Sequence, residues 1–251
     1  MNDHRIYGYH PVREALRHRP HEVVRVWSVG RSGKRQAEIQ DLCRRHRVAF
    51  GPAPDSLRAE LERKLGDAVH NGLVAELQQA PAEAGSQPGD GADPQLVVLL
   101  EDVQDPRNLG AILRVCEGAG VGKVLIRDRG SAPISPLAVK TSAGAAEWLA
   151  LERITNSGQE IGRLKKEGFW IYGADAGGSA AWDLDLSGPT VLCFGGEAKG
   201  LRQRTRKLCD GLVSVPMRGH VESLNVATAA AAMLYEAVRQ RQRLHREGKR
   251  R

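Results

Sequence analysis

The sequence predicts an α/β protein in which a largely parallel sheet, flanked by helices, follows a smaller α/β module. Short apolar, β-rich runs alternate with helical patterns along the chain, an order typical of parallel sheets with helices on both faces. The run LVVLL at 96–100 is continuously apolar, as a strand buried on both faces requires. Residues 79–95 consist of Ala, Pro, Gly and polar residues, which predicts a flexible linker between the two parts.

The N-terminal module spans residues 1–78 and begins with a short strand and a turn at Gly8. A helix led by Pro11 follows, because the fixed φ of proline suits a first helical turn. The remaining predicted elements are a strand at 23–30, a charged helix at 34–47, a strand at 48–50, a helix at 54–65 and a strand at 68–77 that is broken at Asn71-Gly72.

The second domain spans residues 96–243 and is followed by a basic tail at 244–251. After the strand at 96–100, a polar loop at 101–110 leads to a helix at 111–120. The next predicted elements are a strand at 123–127, a helix from Leu137 that contains 140–148, a strand at 149–154, a helix at 157–167 and a strand at 169–175. A strand at 191–194, a basic helix, a strand at 212–215 and an alanine-rich helix from about Ser223 complete the domain.

Polar groups gather after the last strands of this predicted sheet. Gly195, Gly196 and Glu197 directly follow the strand at 191–194, and Ser223 and Asn225 open the terminal helix. Ligands of parallel α/β sheets bind where the carboxyl ends of strands meet helix N-termini. The residues therefore predict a small-molecule pocket near 195–225.

The charge distribution points to an anionic macromolecule as partner. The net charge is +7, but residues 81–238 hold 16 Lys and Arg against 19 Asp and Glu. Residues 1–80 hold 14 against 10, and residues 239–251 hold 7 against 1. Basic flanks around a slightly acidic middle suit binding of a nucleic acid by the flanks and chemistry in the middle. The alternative is that the basic tail only aids solubility.

Other features exclude function classes. No apolar stretch reaches the ~18 residues of a membrane-spanning helix, and the N-terminus lacks the apolar core of a signal peptide. The cysteines lack metal-binding spacing, which predicts reduced thiols in the cytoplasm and no metal site: they are Cys43, Cys116, Cys193 and Cys209.

Two glycine-rich stretches do not fit nucleotide-binding motifs. GAGVGK at 118–123 follows a helix and precedes a strand, the reverse of a dinucleotide-binding turn, and therefore predicts a helix terminus. GGEAKGL at 195–201 follows a strand but does not match a P-loop.

Three blocks of the sequence resemble the three motifs of the SPOUT-class RNA 2′-O-ribose methyltransferases, in the same order and at similar spacing. They are EDVQDPRNLGAILR at 101–114, FGGEAKGL at 194–201 and VPMRGHVESLNVATAAAAMLYEA at 215–237. The stretches IYGYHPVREAL and VHNGLVAEL are similar to the L30e-like substrate-binding domain of the branch that methylates 23S rRNA guanosine. The chain departs from the pattern at Ala198, where the motif usually has Gly, and at Ala227, where it often has Ser.

This resemblance implies a trefoil-knotted C-terminal domain, which ordinary topology rules would not predict. It implies S-adenosylmethionine bound in the knot, and a homodimer that completes each active site. The implied reaction is 2′-O-methylation of a guanosine ribose in the 23S rRNA loop that receives the peptidyl-tRNA end. Membrane partners are not implied.

The resemblance also assigns residues to roles. The implied catalytic residues are Asn108, Arg114, Glu197, Ser223 and Asn225. The implied cofactor-binding residues are Gly196, Val215 and Leu224, with Met217 and Thr141 as further lining residues. Within the N-terminal module, the predicted RNA contacts are Arg5, Arg13 and Arg17.

Simpler roles compete with these assignments. Asp105 and Asn108 could only form a turn before a helix, and Glu197 or Ser223 could only cap a helix. The basic residues at 199–207 could be a solvated face. Arg114 is an unsuitable general base because guanidinium stays protonated, so a phosphate anchor or a donor to the developing alkoxide is the better hypothesis.

Two rival functions remain at this stage. A tRNA guanosine 2′-O-methyltransferase would use the same motifs, but such relatives generally lack an L30e-like leading module. A catalytically silent rRNA-binding assembly factor could keep the fold, although the motif residues are all present.

Overall fold

A computed structural model describes residues 5–29, 33–65, 72–78 and 91–248. The N-terminal module contains a four-stranded sheet in the order β1-β4-β2-β3. Strand β4 is antiparallel to β1 and β2, and β2 is parallel to β3. Its elements are β1 (Arg5–Tyr7), α1 (Tyr9–His18), β2 (Val23–Ser28), α2 (Lys34–His46), β3 (Ala49–Pro52), α3 (Asp55–Leu65) and β4 (Leu73–Leu77).

Helices cover both faces of this small sheet. Helix α1 buries Val12, Ala15 and Leu16, which helical spacing places on one side, and α2 packs against the same core through Ile39. Helix α3 packs on the opposite face, where Leu57 and Leu61 join a cluster with Trp27 and Val74. The predicted break at 71–72 lies partly outside the described residues, since the description resumes at Gly72.

The second domain is built on a six-stranded parallel sheet in the order β10-β8-β9-β5-β6-β7. Its strands are β5 (Asp93–Leu100), β6 (Val121–Arg127), β7 (Leu151–Ile154), β8 (Trp170–Ala180), β9 (Thr190–Phe194) and β10 (Gly211–Ser214). Its helices are α4 (Pro106–Gly118), α5 (Pro136–Thr141), α6 (Ser157–Lys166), α7 (Gln203–Leu208) and α8 (Val226–Gly248). All five residues of β9 are buried, as expected for a central parallel strand.

The order of the strands creates a cleft beside β5 and β9. These strands are neighbours, but the chain leaves β5 toward β6 on one side and leaves β9 toward β10 on the other. The connections therefore diverge at the carboxyl ends of the two strands. Open parallel sheets bind ligands at such a point.

Several predicted boundaries were wrong. Helix α4 begins at Pro106 because the Asp105 side chain caps it, accepting from the N–H of Arg107 at 2.7 Å. Strand β8 continues to Ala180, beyond its predicted end at 175, because β10 pairs with Ser179 and Ala180 beyond a bulge. Strand β5 starts at Asp93, within the predicted linker. The predicted helix through 140–148 ends at Thr141, and residues 145–147 form a separate 3-10 turn.

The two parts of the chain are in direct contact. Arg19, from the N-terminal module, forms a bidentate ion pair with Glu147, with Nη2–Oε1 at 3.0 Å and Nε–Oε2 at 2.5 Å. Trp148 donates from Nε1 to Glu14 at 3.2 Å, and its ring lies 4.5 Å from the imidazole of His18. A buried ion pair and a ring contact therefore link the module to the second domain. Residues 79–90 of the predicted linker lie outside the described residues.

Candidate active site

A cavity of about 640 Å³ lies at the carboxyl ends of β8, β9 and β10. It is bounded by the turn after β9, the loop after β10 and the start of α8. A cavity of this size suits a cofactor or other small molecule. The lining residues include the predicted Gly196, Glu197, Val215, Met217, Ser223, Leu224 and Asn225, together with Ala174, Asp175, Ser214, Glu222 and Met233.

The turn after β9 requires its two glycines. A Cβ on Gly195 would lie 2.0 Å from the carbonyl carbon of Gly200, and a Cβ on Gly196 would lie 2.3 Å from the carbonyl oxygen of Asp102. Gly200 closes the turn by donating its N–H to the Gly196 carbonyl at 2.8 Å. The backbone can therefore approach both its neighbours and the cavity.

We expect Gly196→Ala to weaken binding of the cofactor proposed below by about 10- to 100-fold, because the added methyl displaces a backbone carbonyl at a cost of roughly 1–3 kcal/mol. Calorimetric titration of the variant measures this loss. The matched control is Gly162→Ala in α6, where a Cβ meets nothing within 4 Å. Equal affinity of Gly196→Ala and wild type would show that this approach does not matter.

Three of the residues assigned to catalysis form one hydrogen-bonded chain. Asn225 donates from Nδ2 to Oδ1 of Asn108 at 3.1 Å, and Asn108 donates from Nδ2 to Oε1 of Glu197. These residues come from the start of α8, the first turn of α4 and the turn after β9. The fold thus joins segments that are separated by 89 and 117 positions in the sequence.

The direction of these hydrogen bonds follows from the way in which Asn225 caps α8. Oδ1 of Asn225 accepts the N–H of Ala227 at 2.9 Å, so its amide nitrogen faces Asn108 as a donor. Asn108 then accepts on its oxygen and must present its nitrogen to Glu197. A helix cap therefore orients a carboxylate that lies about 30 positions upstream in the sequence.

The structure distinguishes between the competing roles of these residues. Asn225 caps α8, whereas Ser223 is exposed in the loop that lines the cavity. Glu197 does not cap a helix, since α7 begins only at Gln203. Asp105 is a helix cap, and Asn108 also lies in the helix rather than in the predicted loop. The stretch at 118–123 is a helix terminus, as predicted, because α4 ends at Gly118.

Two of the predicted site residues lie apart from this cavity in the described part of the chain. Thr141 ends α5, donates its hydroxyl to the Leu137 carbonyl at 2.9 Å and faces Gly110 of α4. Arg114 is exposed on α4, six residues after Asn108 and so on a different side of the helix. It is near His10 of α1, whose pKa is lowered by burial and then by guanidinium groups that include Arg13 and Arg114. Arg114 therefore lies on the exposed side of α4, within electrostatic range of α1.

The predicted RNA contacts differ in how accessible they are. The Arg5 side chain is 16% exposed and pairs with Glu60 at 3.1 Å, so it ties β1 to α3. Arg13 pairs with Glu14 at 2.6 Å, and its guanidinium lies 5.3 Å from the centre of the Tyr9 ring. Arg17 is 46% exposed and pairs with Glu38 at 3.4 Å. Arg13 and Arg17 lie on the same helix, whereas Arg5 belongs to a separate ion pair.

The sequence reasoning missed the contribution of β8 to the cavity. Ala174 and Asp175 line it because β8 extends past the end of its pairing with β9. Both residues end the strand predicted at 169–175, so the carboxyl end of that strand was the signal that could have indicated them. Met233 of α8 also lines the cavity, and helical spacing from Asn225 could have indicated it.

The described residues also bear on metal binding, membrane insertion and thiol reactivity. Within the described ranges, no three His, Cys, Asp or Glu side chains are grouped to hold a metal ion. Over the same ranges, no helix combines the length and apolarity needed to cross a bilayer. Burial raises the pKa of Cys43 to about 11, which keeps that thiol protonated.

A parallel sheet with a glycine-lined cavity at its strand ends defines a ligand-binding α/β protein, and its charged flanks fit a nucleic-acid partner. The profile of the SpoU rRNA Methylase family matches residues 95–235, and that of the RNA 2′-O ribose methyltransferase substrate-binding domain matches residues 5–82. The chain belongs to the SpoU rRNA methylase family, which confirms the resemblance.

Alignments with relatives cover most of the chain. The 23S rRNA (guanosine-2′-O-)-methyltransferase RlmB of Pseudomonas putida is 38% identical over 95% of this chain and 97% of its own length. The RlmB of Xanthomonas axonopodis pv. citri is 39% identical over 84% of this chain and 86% of its own length.

Solved structures agree with the predicted fold class. The SpoU methyltransferase AviRb from Streptomyces viridochromogenes, solved with AdoMet, superposes with a TM-score of 0.78 at 29% identity, covering 95% of this chain and 90% of its own. The TrmH/SpoU tRNA modifying enzyme of A. aeolicus gives 0.57 at 29% identity, covering 62% of this chain and 79% of its own.

Proposed function

We propose that this protein is a 23S rRNA (guanosine-2′-O-)-methyltransferase that uses S-adenosylmethionine, and that its target is the guanosine in the loop receiving the peptidyl-tRNA end. The observation that carries the proposal is the Asn225–Asn108–Glu197 chain at the edge of the cavity. Relatives named for this reaction match this protein over nearly its whole length.

The cavity fits the cofactor by size and chemistry. Its 640 Å³ falls in the range of cofactor sites, and its lining combines apolar side chains and glycine backbone with the carboxylates of Asp175, Glu197 and Glu222. Gly196, Val215 and Leu224 would hold the cofactor, with Met217 beside them. When bound, S-adenosylmethionine supplies an activated methyl group on a sulfonium centre.

The residues of this chain then need mainly to position the acceptor. Holding a ribose 2′-oxygen in line with the methyl group can supply up to roughly 7–11 kcal/mol of the barrier in ideal cases. Glu197 is exposed, and among the described residues its carboxylate receives the hydrogen bond of Asn108 on Oε1. Its other oxygen is available to a ribose hydroxyl. Ser223 and Asn225 border the same opening.

Arg114 fits this scheme best as a residue of a shared site. It lies six residues after Asn108 on α4, on a different side of the helix, and does not line the cavity of its own protomer. In the proposed homodimer, Arg114 of one protomer would reach the acceptor RNA at the other protomer's site. Its permanent positive charge would hold a phosphate or the developing alkoxide.

We expect Arg114→Lys to lower turnover by about 10-fold or more, because lysine keeps the charge but loses the planar fork that binds two oxygens at once. Steady-state methylation of a 23S rRNA fragment measures this effect. Turnover close to wild type would show that a guanidinium is not required.

The substrate is tested by incorporation of labelled methyl groups. Purified protein is incubated with 23S rRNA or tRNA, and the modified ribose is mapped in rRNA from cells with and without the gene. Methylation of one 23S guanosine supports the proposal. Methylation of tRNA alone would favour the rival enzyme, although the tRNA enzyme of A. aeolicus covers only 62% of this chain. No incorporation into either RNA would favour a silent assembly factor.

A further inference from the structure

Asp102 is a point where three loops of the second domain meet. It follows β5 directly and has a φ of 55°, a left-handed conformation that is unusual for a residue other than glycine. Its carboxylate faces Arg202 and the residues at the end of β6, and its carbonyl faces Gly196. Non-glycine residues in this region often mark functional sites.

Two arginines from separate loops bind this carboxylate. Arg202, just before α7, donates from Nε to Oδ2 at 2.7 Å and from Nη2 to Oδ1 at 2.9 Å. Arg127, at the end of β6, approaches Oδ1 at 3.4 Å. The pair with Arg202 is bidentate, the geometry that fixes a guanidinium in direction as well as distance.

Glycines surround Asp102 closely. A Cβ on Gly130, in the loop after β6, would lie 2.0 Å from Oδ1 of Asp102. A Cβ on Gly196 would lie 2.3 Å from the Asp102 carbonyl oxygen. The segment from Gly196 to Arg202 therefore contacts Asp102 at both of its ends, and Glu197 lies within that segment.

Asp102 also precedes the other half of the site. Asn108, the hydrogen-bond partner of Glu197, lies on the helix that begins four residues after Asp102. A shift of the segment 196–202 relative to Asp102 would change the spacing between Asn108 and Glu197. Active-site spacing of this kind tolerates little error, since about 1 Å can cost roughly 100-fold in rate.

We propose that Asp102 and Arg202 are positioning residues that set the place of Glu197 and Gly196 in the site, a role that rests on the proposed methyl transfer. Arg202 is 47% exposed and Asp102 is 25% exposed. Ion pairs this exposed contribute only about 0–1 kcal/mol to folding. The effect of the pair is therefore on the geometry of the site rather than on the stability of the fold.

The test is a double-mutant cycle with Asp102→Asn, Arg202→Gln and the double variant. Asparagine keeps the size of the side chain and tolerates the left-handed conformation, so the variants remove the ion pair without new backbone strain. Each single variant should lower kcat about 10-fold, equivalent to ~1.4 kcal/mol, and the double variant should be no worse than either single one. The melting temperature should stay near that of wild type.

The matched control is Glu152→Gln, which breaks the exposed pair of Lys123 and Glu152 at 3.1 Å between β6 and β7. It should leave kcat unchanged. The proposal is overturned if kcat of Asp102→Asn equals that of wild type, if the two single losses multiply, or if kcat falls only in proportion to lost folded protein.

Cofactor affinity separates this proposal from the proposed function. Because Gly196 lines the cavity, the same variants should raise the Kd for S-adenosylmethionine about 5-fold, read by calorimetry. Wild-type protein that binds the cofactor but methylates no rRNA would contradict the proposed function. The Kd of the variants would then decide the positioning role by itself, and an unchanged Kd would overturn it.

Discussion

Glu197→Ala should lower the kcat of rRNA methylation by about 10²- to 10³-fold, the size of effect seen when one preorganised polar group is removed from an active site. The carboxylate of Glu197 accepts the hydrogen bond of Asn108 on one oxygen, and the residue lines the cavity. Its loss removes the final member of the chain and leaves the amide of Asn108 without that partner. Steady-state kinetics with a 23S rRNA fragment measure the change.

A second substitution separates charge from position at this residue. Glu197→Gln can still accept the amide hydrogen of Asn108, so it should keep the cofactor affinity of wild type. Its turnover should exceed that of Glu197→Ala only if the negative charge matters less than the position of the acceptor oxygen. Glu167→Gln, on an exposed ion pair with Arg163, is the control and should be silent. Turnover of Glu197→Ala within about 2-fold of wild type would refute the role of this carboxylate.

Glu147→Ala should destabilise the protein by up to about 3–5 kcal/mol, because it removes the bidentate partner of the buried Arg19 guanidinium. Glu22, 2.5 Å from Nη1 of Arg19, then remains as a carboxylate partner. Arg19 is 3% exposed and Glu147 is 1% exposed. Urea denaturation measures the free energy of unfolding. We also expect the same variant to lose more affinity for rRNA than for the cofactor, because Arg19 and Glu147 join the N-terminal module to the second domain.

An apolar replacement provides the strict control for this prediction. Arg19→Met combined with Glu147→Leu removes both charges and should recover most of the lost stability, as buried pairs often can be replaced by packed apolar side chains. Arg163→Ala removes an exposed arginine and should cost less than about 1 kcal/mol. If Glu147→Ala behaved like Arg163→Ala, the two domains would not depend on this pair.

The sequence predicted most of the fold because local patterns specify local structure. The buried strands β5 and β9 were visible as continuous apolar runs, and helices such as α2 and α6 as helical spacing with recognisable ends. Boundaries were less predictable where a distant strand decides them. Strand β8 runs on to Ala180 because β10 pairs with its far end, which nothing in the local sequence indicates.

The candidate site was predictable as a set of residue types but not as an arrangement. Motif resemblance named Asn108, Glu197 and Asn225, and the fold brings these three into one hydrogen-bonded chain. It also named Thr141, which lies against α4 instead, and Arg114, which is exposed on α4 and does not line the cavity. The trefoil knot, the homodimer and the roles of the individual residues stay predictions.

The sequence by itself determined the class of fold, the order of elements, the glycine turn and the family, because local residue spacing and the order of the motifs specify all of these. Only the tertiary structure decided that the Asn225 cap orients Asn108 and Glu197, that Asp102 joins three loops, and that Arg19 meets Glu147. The physical reason is that each of these is a directional contact between segments far apart in the chain. Such contacts depend on where parallel strands end relative to one another, and only the folded sheet sets that geometry.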